Sequence, residues 1–472
     1  SGHTVIEILN TDMPFLVDSV RMELNRQGLS IHAIHNAVIM VERDPQGQLL
    51  RVFDSSDKPD QPRYESTIYL EVDRRSDRED LNNTEVAFQD VLGDVRAAVK
   101  DFSVMQQRVR DGIEALDQAP ASVETTQVDE AKAFLGWLLE DNFTFLGYDE
   151  VQVEGDQTSI SRVEGSELGT LRRSAITGRK RSLQSLRDNE RQFILTPEPV
   201  MFGKDAHRSR VHRPIYRDLV VVRRFNDEGA VIGEYRFYGL YTSPVYAVSP
   251  SSIPVVRRKV TQVLQQAGFE TSGHSCKELQ QVIKDLPREE LFLTPVEGLF
   301  ETALGVFNLQ ERRKVRLIVR PDPCGKFFTC LYYAPRDIYS TDLRNRVQQL
   351  LEKSFNAVDT EFVTHFSESV LARTYFVLRV DPDQPLEWDA SSLQNLVIET
   401  SRAWDEELHS ALVEGCGEEQ GNRFATLYKG AFPSAYKEHF PSSSAVYDVQ
   451  RLAELESGKS LAMSFYRRLE ET

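Results

Sequence analysis

Two stretches of this sequence carry side chains suited to holding an anion. The first is Leu171 to Arg187, where Arg172, Arg173, Arg179, Lys180, Arg181 and Arg187 occur with no acid between them. Lys204, Arg208, Arg210, Arg213 and Arg217 follow. A guanidinium presents a rigid fork of donors to a carboxylate or phosphate. Arg172, Arg173, Arg179, Lys180 and Arg181 are therefore candidate contacts for an anionic effector or for the acidic surface of another subunit. A solvated loop is the alternative. The second stretch is Asn10-Thr11-Asp12-Met13-Pro14-Phe15-Leu16-Val17-Asp18-Ser19-Val20. Asp12 or Thr11 can cap a helix there, and Pro14 suits its first turn. The N–H groups of a helix start can take a carboxylate, which makes Asp12, Met13, Pro14, Phe15 and Leu16 candidate effector contacts. The alternative is a cap and proline that only start the helix.

Other local patterns do not supply chemistry. Gly415-Cys416-Gly417-Glu418-Glu419-Gln420-Gly421 follows a helix pattern, and its two glutamates oppose a pyrophosphate. Gly458-Lys459-Ser460 ends like a phosphate loop, but Ala453 stands where the first glycine belongs. His32 and His35 are an odd number apart in a strand pattern, so they face opposite sides and do not pair on a metal. There is no H-E-x-x-H and no nucleophile elbow. No catalytic residue and no metal site are assigned.

The elements that must position these residues can be read from periodicity. Met13, Leu16, Val17, Val20 and Leu24 fall on one helical stripe, and Gly28 can end that helix in a left-handed conformation. Antiparallel strands follow over 29–75, with Asp44-Pro45-Gln46-Gly47 as a type I turn. A helix is expected from Arg78 to Leu116, strands over 143–148, 215–225 and 232–241, and a helix from Ser252 to Ala267. Thr294-Pro295-Val296-Glu297 reads as a capping box. Strands over 315–320 and 327–334, a helix over 340–355, strands over 361–366 and 371–380, and a helix over 386–409 complete the pattern.

Three hairpins recur, at 44–47, 226–229 and 322–325, each followed by an amphipathic helix. Val256, Val260, Val263 and Leu264 repeat the spacing of Leu343, Val347, Leu350 and Leu351. Such ββα pieces bury their faces in pairs, as four-stranded sheets with helices on one side. The reading is α+β: antiparallel sheets over 1–120, 121–290 (with the basic insertion) and 291–410, then a helical connector over 411–472.

At 472 residues the chain exceeds one ordinary core. A net charge of −17 argues against general nucleic-acid binding. No apolar run reaches the ~20 residues of a membrane span. The four cysteines lack metal spacing and read as reduced thiols, which points to the cytoplasm. Ser1-Gly2 looks like a cleavage scar, and the helical pattern persists to Thr472, so an excised piece of a larger protein is expected.

The D-x-P-x-L-V opening at Asp12 resembles ACT domains, small ferredoxin-like modules that often bind amino acids; Phe15 stands where they usually have Gly. Asn10 to Arg21, Phe143-Thr144-Phe145-Leu146-Gly147-Tyr148, Gly239-Leu240-Tyr241-Thr242-Ser243, Phe300-Glu301-Thr302-Ala303 and Gln310-Glu311-Arg312-Arg313 together resemble the amino-terminal region of the large bacterial NAD-specific glutamate dehydrogenases. The resemblance implies tandem ACT-like domains ahead of a catalytic domain. It implies a parent enzyme that deaminates L-glutamate to 2-oxoglutarate with NAD as cofactor, none of it bound in this segment. For the segment it implies regulation and assembly of a homo-oligomer, with an amino-acid effector. A stand-alone amino-acid sensor and a pure interaction scaffold are the alternatives.

Overall fold

The computed structural model describes residues 2–54, 63–154, 157–173, 180–270, 273–309, 314–367, 369–384, 386–402, 404–428, 430–433, 436–437, 440–456 and 461. The chain divides into two units, one of residues 1–308 with 321–327, the other of 309–320 with 328–472.

The first unit opens with β1 (His3–Thr11), α1 (Leu16–Arg26), β2 (Ile31–Arg43), β3 (Leu49–Phe53), β4 (Arg63–Asp73) and α2 (Arg78–Ala115). The strands form an antiparallel sheet in the order β1-β4-β2-β3. Alternation puts Ile6, Ile8, Ile68, Leu70 and Val72 under Val20 and Leu24 of α1 and Phe88, Leu92 and Val95 of α2. Each such aliphatic side chain contributes about 1.5–3 kcal/mol when fully buried. Gly28 takes φ +70 and ends α1, with the Leu29 N–H donating to Leu24 O. Gly47 closes the β2–β3 turn with its N–H on Asp44 O.

The helix start differs from expectation. Neither Thr11 nor Asp12 caps α1, and Pro14 lies in the turn before it. The Asp12 N–H instead donates to Tyr64 O at 2.9 Å, prolonging the strand pairing. Phe15 occupies the cap position, at φ 71 and ψ 1, with no side-chain cap bond.

Helix α2 runs on from the first sheet to a second. Its later turns meet β5 (Phe143–Val153), β7 (Leu168–Gly169), β10 (Tyr216–Phe225) and β11 (Val231–Tyr241), which share a sheet with β6 (Ser159–Arg162), β8 (Arg181–Ser182) and β9 (Val200–Arg208). These form a seven-stranded sheet in the order β8-β6-β5-β11-β10-β9, with β7 also on β5. The repeat led us to expect a four-stranded sheet in residues 121–290, so this part of the architecture is corrected. Gly112 of α2 faces Tyr235 and Val222, and Phe102 meets Phe145 edge to face.

The helices of this unit are α3 (Thr125–Trp137), α4 (Asp188–Leu195), α5 (Ser243–Ala247), α6 (Val256–Ala267), α7 (His274–Asp285), α8 (Arg288–Leu293) and α9 (Val296–Phe307). Helix α6 packs on α7, α8 and α9. It therefore joins a helical group instead of layering its own hairpin, as the repeat had implied. Lys259 of α6 draws that group together by donating to the carbonyls of Phe292 (2.7 Å) and Thr294 (2.9 Å). The capping box at 294–297 does not form either. The Thr294 hydroxyl donates to the buried Glu290 carboxylate at 2.8 Å, and Pro295 takes the cap position.

The second unit holds β12 (Arg316–Pro321), β13 (Phe327–Pro335), α10 (Thr341–Phe355), β14 (Asp359–Phe366), β15 (Leu371–Arg379) and α11 (Ala390–Thr400), in the sheet order β12-β13-β15-β14. Pro321 and Phe327, at the tip of the β12–β13 hairpin, group with the first unit. Ser340 caps α10 through the Leu343 N–H at 3.0 Å. Leu343, Val347, Leu351 and Phe355 bury the helix against Phe376 and Leu378. The succession β13-α10-β14-β15-α11 parallels β1-α1-β2-β4-α2, and β12 extends the second unit's sheet beyond β13. The helix expected over 386–409 is two helices, α11 and α12 (Trp404–Cys416). With α13 (Glu418–Leu427) and α14 (Ser442–Glu456), α12 forms a helical cluster around Leu412, Phe424 and Val449.

Candidate functional site

The junction at Asp12 to Leu16 is closed from above. Asp12 and Pro14 are exposed, Met13 and Phe15 are half-buried, and Leu16 is in the core. The left-handed backbone at Phe15 turns its ring onto His212, with centroids 4.9 Å apart. His212 lies in the loop between β9 and β10 and is itself left-handed, at φ 70. Its N–H donates to Ser19 Oγ at 3.2 Å, and its Nδ1 lies 3.2 Å from Asp18 Oδ2. The start of α1 is thus occupied by a loop of the neighbouring sheet. His212, Asp18 and Ser19 have no local sequence signal: they come together over more than 190 residues of separation.

Beside this contact lies a cleft of about 500 Å³, between α1, α2 and the 208–214 loop. Arg21, Arg26, Arg208 and Arg210 line it together with Asp18 and Glu23. Glu23 is 2% exposed and accepts from Arg26 Nε at 2.8 Å and Gln27 Nε2 at 2.9 Å. Burial works against ionisation of Glu23, and the bonds from Arg26 and Gln27 outweigh it, holding the carboxyl below its usual range. Arg210 Nη1 lies 3.7 Å from Asp94 Oδ2. Burial pushes the Asp94 carboxyl up despite the opposing charges of Arg210 and Arg173.

The described members of the first basic stretch meet acids of the same chain. Arg172 pairs with Asp101, whose Oδ2 also accepts the Gly169 N–H at 2.8 Å. Arg173 bridges Asp90 (3.1 Å) and Asp94 (2.9 Å). It lies across α2 where Gly93 leaves room; a Cβ there would stand 2.6 Å from Arg173 Cζ. Lys180 pairs with Glu154, and Arg181 with Glu190 at 3.1 Å. Arg179 lies outside the described residues, as do Gly458-Lys459-Ser460 and Gln310 to Arg313. The structure therefore brings Arg172 and Arg173 to α2 and leaves Lys180 and Arg181 apart from them. The later arginines 208 and 210, from the second basic run, are the ones that reach the cleft.

A third concentration of charge is buried on the seven-stranded sheet. Cross-strand pairing sets Arg223 opposite Glu234 and Arg236 opposite both Val221 and Asp149. Glu234 is fully buried, paired to Arg223, and accepts from Arg236 Nε at 2.6 Å. Asp149 makes an ion contact of 2.6 Å with Arg162 Nε, although neither of its oxygens has an aligned hydrogen bond. Burial pushes the Asp149 carboxyl up, against the pull of Arg236 and Arg162. Lys204 and Asp218 form a further buried pair at 3.0 Å. Apart from the Asp149 oxygens, these groups pair with one another across strands, an arrangement that fixes pairing more than it supplies a reaction centre.

His32 stacks on His3 at 4.3 Å and bonds Asp73 at 2.7 Å, while His35 sits by Tyr69. Among the described residues no group of His, Cys, Asp and Glu could hold a metal, and no helix is long and apolar enough to cross a membrane. The four cysteines are free thiols.

Comparison with known proteins agrees with this layout. The glutamate dehydrogenase ACT1 domain matches residues 1–87, helical motif 1 matches 253–312, the ACT2 domain matches 316–405 and helical motif 2 matches 411–455. The chain is 45% identical over 475 residues to a NAD-specific glutamate dehydrogenase of Halomonas elongata, covering 100% of this chain and 29% of the relative. It is 43% identical to that of Pseudomonas aeruginosa (99% of this chain, 29% of the relative) and 28% identical to that of Mycobacterium tuberculosis (97% and 28%). The chain thus spans less than a third of the length of the curated relatives it matches.

Proposed function

Because the chain belongs to the ACT-domain and helical-motif region of the NAD-specific glutamate dehydrogenase family, we propose that it is the regulatory and assembly region of such an enzyme. In this reading the complete protein deaminates L-glutamate oxidatively to 2-oxoglutarate and ammonia in the cytoplasm. NAD is reduced in a part of the protein outside this chain. The observation that carries the reading is the order of matched pieces, ACT1, helical motif 1, ACT2 and helical motif 2, along one chain. The chemistry of the described residues supports it. Their buried charges are spent on one another, and their sheets are antiparallel, without the parallel-strand crevice in which a dinucleotide sits.

Homo-oligomer formation through the ACT-like sheets belongs to the same reading. The sheets carry exposed apolar side chains, Val5 and Leu9 on β1 and Phe362 and Phe366 on β14, each more than 40% exposed. Two measurements test the proposal. The purified chain incubated with L-glutamate and NAD should form no NADH; turnover would overturn the placement of the chemistry. Light scattering coupled to size exclusion should give a mass above one chain, lowered by Leu9→Lys or Phe362→Lys. A monomer at all concentrations would remove the assembly role.

A further inference from the structure

We propose that the cleft between α1 and the 208–214 loop is a binding site for a small dicarboxylate, and that its occupancy ties the first sheet to the seven-stranded one. The proposal rests on the regulatory reading above and gives it a place and a ligand class.

The argument starts from unspent charge. In a chain of net charge −17, four guanidinium groups converge on one cleft. Its two acids are already engaged, Glu23 by Arg26 and Gln27, and Asp18 by His212. Among the described residues Arg21 has no ion-pair partner, and Arg210 makes a 3.7 Å contact with Asp94 and a long bond of 3.5 Å from Nη2 to Ala87 O. Two guanidiniums thus face the cleft with donors to spare, and each fits a carboxylate in a bidentate fork. Arg21 is carried by α1 and Arg210 by the loop, so they reach the cleft from two different elements. A ligand with two anionic ends can give each of them its own carboxylate. Met22, Val91 and Pro214 add apolar surface to the lining, suited to a short methylene chain. The volume of about 500 Å³ falls within the range of small-molecule sites.

The walls also say what binding would do. Helix α1 belongs to the first sheet, and the loop joins two strands of the other. They are held together here by the Phe15–His212 contact and the Ser19 and Asp18 bonds. A dianion paired with both Arg21 and Arg210 adds a bridge beside them. A ligand that binds only the closed arrangement shifts the population toward it.

Isothermal titration of this chain with succinate tests the site, with 2-oxoglutarate, acetate and inorganic phosphate as comparisons at matched ionic strength. Succinate and 2-oxoglutarate should bind, and acetate should not. Arg21→Ala, an exposed change, and Arg210→Ala should each weaken succinate at least about tenfold, the loss of one charged bidentate contact. Hydrogen exchange in residues 18–26 and 208–214 should slow on binding. No succinate binding, binding that survives Arg21→Ala unchanged, or equal binding of phosphate and acetate would each overturn the proposal. The complete enzyme separates this from the regulatory reading. Dicarboxylate binding to this site without any change in rate would sink regulation and leave the site. A rate response that persists in Arg21→Ala would sink the site and leave regulation.

Discussion

Phe15 and His212 face each other across 4.9 Å, both with left-handed backbones, and neither is a glycine. A side chain in that conformation costs on the order of 1 kcal/mol. Two such residues in contact mean that the packing between the two sheets over-determines them. The contact covers Phe15 at the start of α1 and leaves Asp12 and Pro14 exposed.

The strain at Phe15 gives an unusual ranking of substitutions. Phe15→Ala loses the ring and keeps the left-handed cost, whereas Phe15→Gly loses the ring and is relieved of it. The glycine variant should be the more stable of the two by about 1 kcal/mol, the reverse of the order in a helix interior. Urea midpoints of the two variants check this; alanine equal to or above glycine would show that the position is not strained.

Glu234 holds two arginines, Arg223 and Arg236, and Arg223 is completely buried. Removing the carboxylate leaves a buried cation without its counter-charge. Glu234→Ala should therefore cost about 3–5 kcal/mol, read as a large drop in thermal midpoint. A change within ordinary surface scatter would mean that water reaches Arg223.

Asp205 supplies a pH dependence. Burial raises its carboxyl, but the His207 hydrogen bond and the Arg217 charge outweigh burial and bring the value down to about 2. The folded value lies below the ordinary 3.8, so the stability it contributes is full above that value. It is lost as pH falls from 3.8 toward 2. Asp205→Asn should flatten the thermal midpoint across that acid window and lower it at neutral pH. An unchanged acid limb would place the sensitivity elsewhere.

Gly239 lies at the irregularity where β11 pairs with β5. A Cβ there would stand 2.2 Å from Thr144 O and 2.4 Å from Phe143 Cε1. Gly239→Ala should destabilise the seven-stranded sheet by about 3 kcal/mol, as overpacking against backbone does. Protease resistance of β5 and β11 should fall with it; wild-type resistance would indicate that the strands can separate at no cost.

The family phrases were legible because several of them record steric necessity. Gly239 stands in one, where two backbones come too close for a Cβ, and Gly147 in another, where a Cβ would meet Leu171 at 3.0 Å. Those two approaches join distant segments, whereas the hairpin at 226–229, the α10 cap at Ser340 and the stripe Val20–Leu24 are set by neighbours a few residues away. Periodicity and turn chemistry are short-range, and the sequence states them outright.

The tertiary structure decided what lies between those pieces. The Thr294 hydroxyl could cap a helix or reach Glu290, and a buried carboxylate won. Helix α6 carries the same stripe as α10, yet it packs on α7, α8 and α9, while α2 lies on the seven-stranded sheet. Arg172 and Arg173 sit in a run that reads as free charge, and find acids more than 70 residues away on α2. Asp12 to Leu16 reads as an open helix start, and His212 closes it across 190 residues. By itself the sequence determined the antiparallel α+β character, most of the strands and helices and the kinship. Which faces meet, and so which charges remain for a ligand, is a competition among distant partners that only the packed chain resolves.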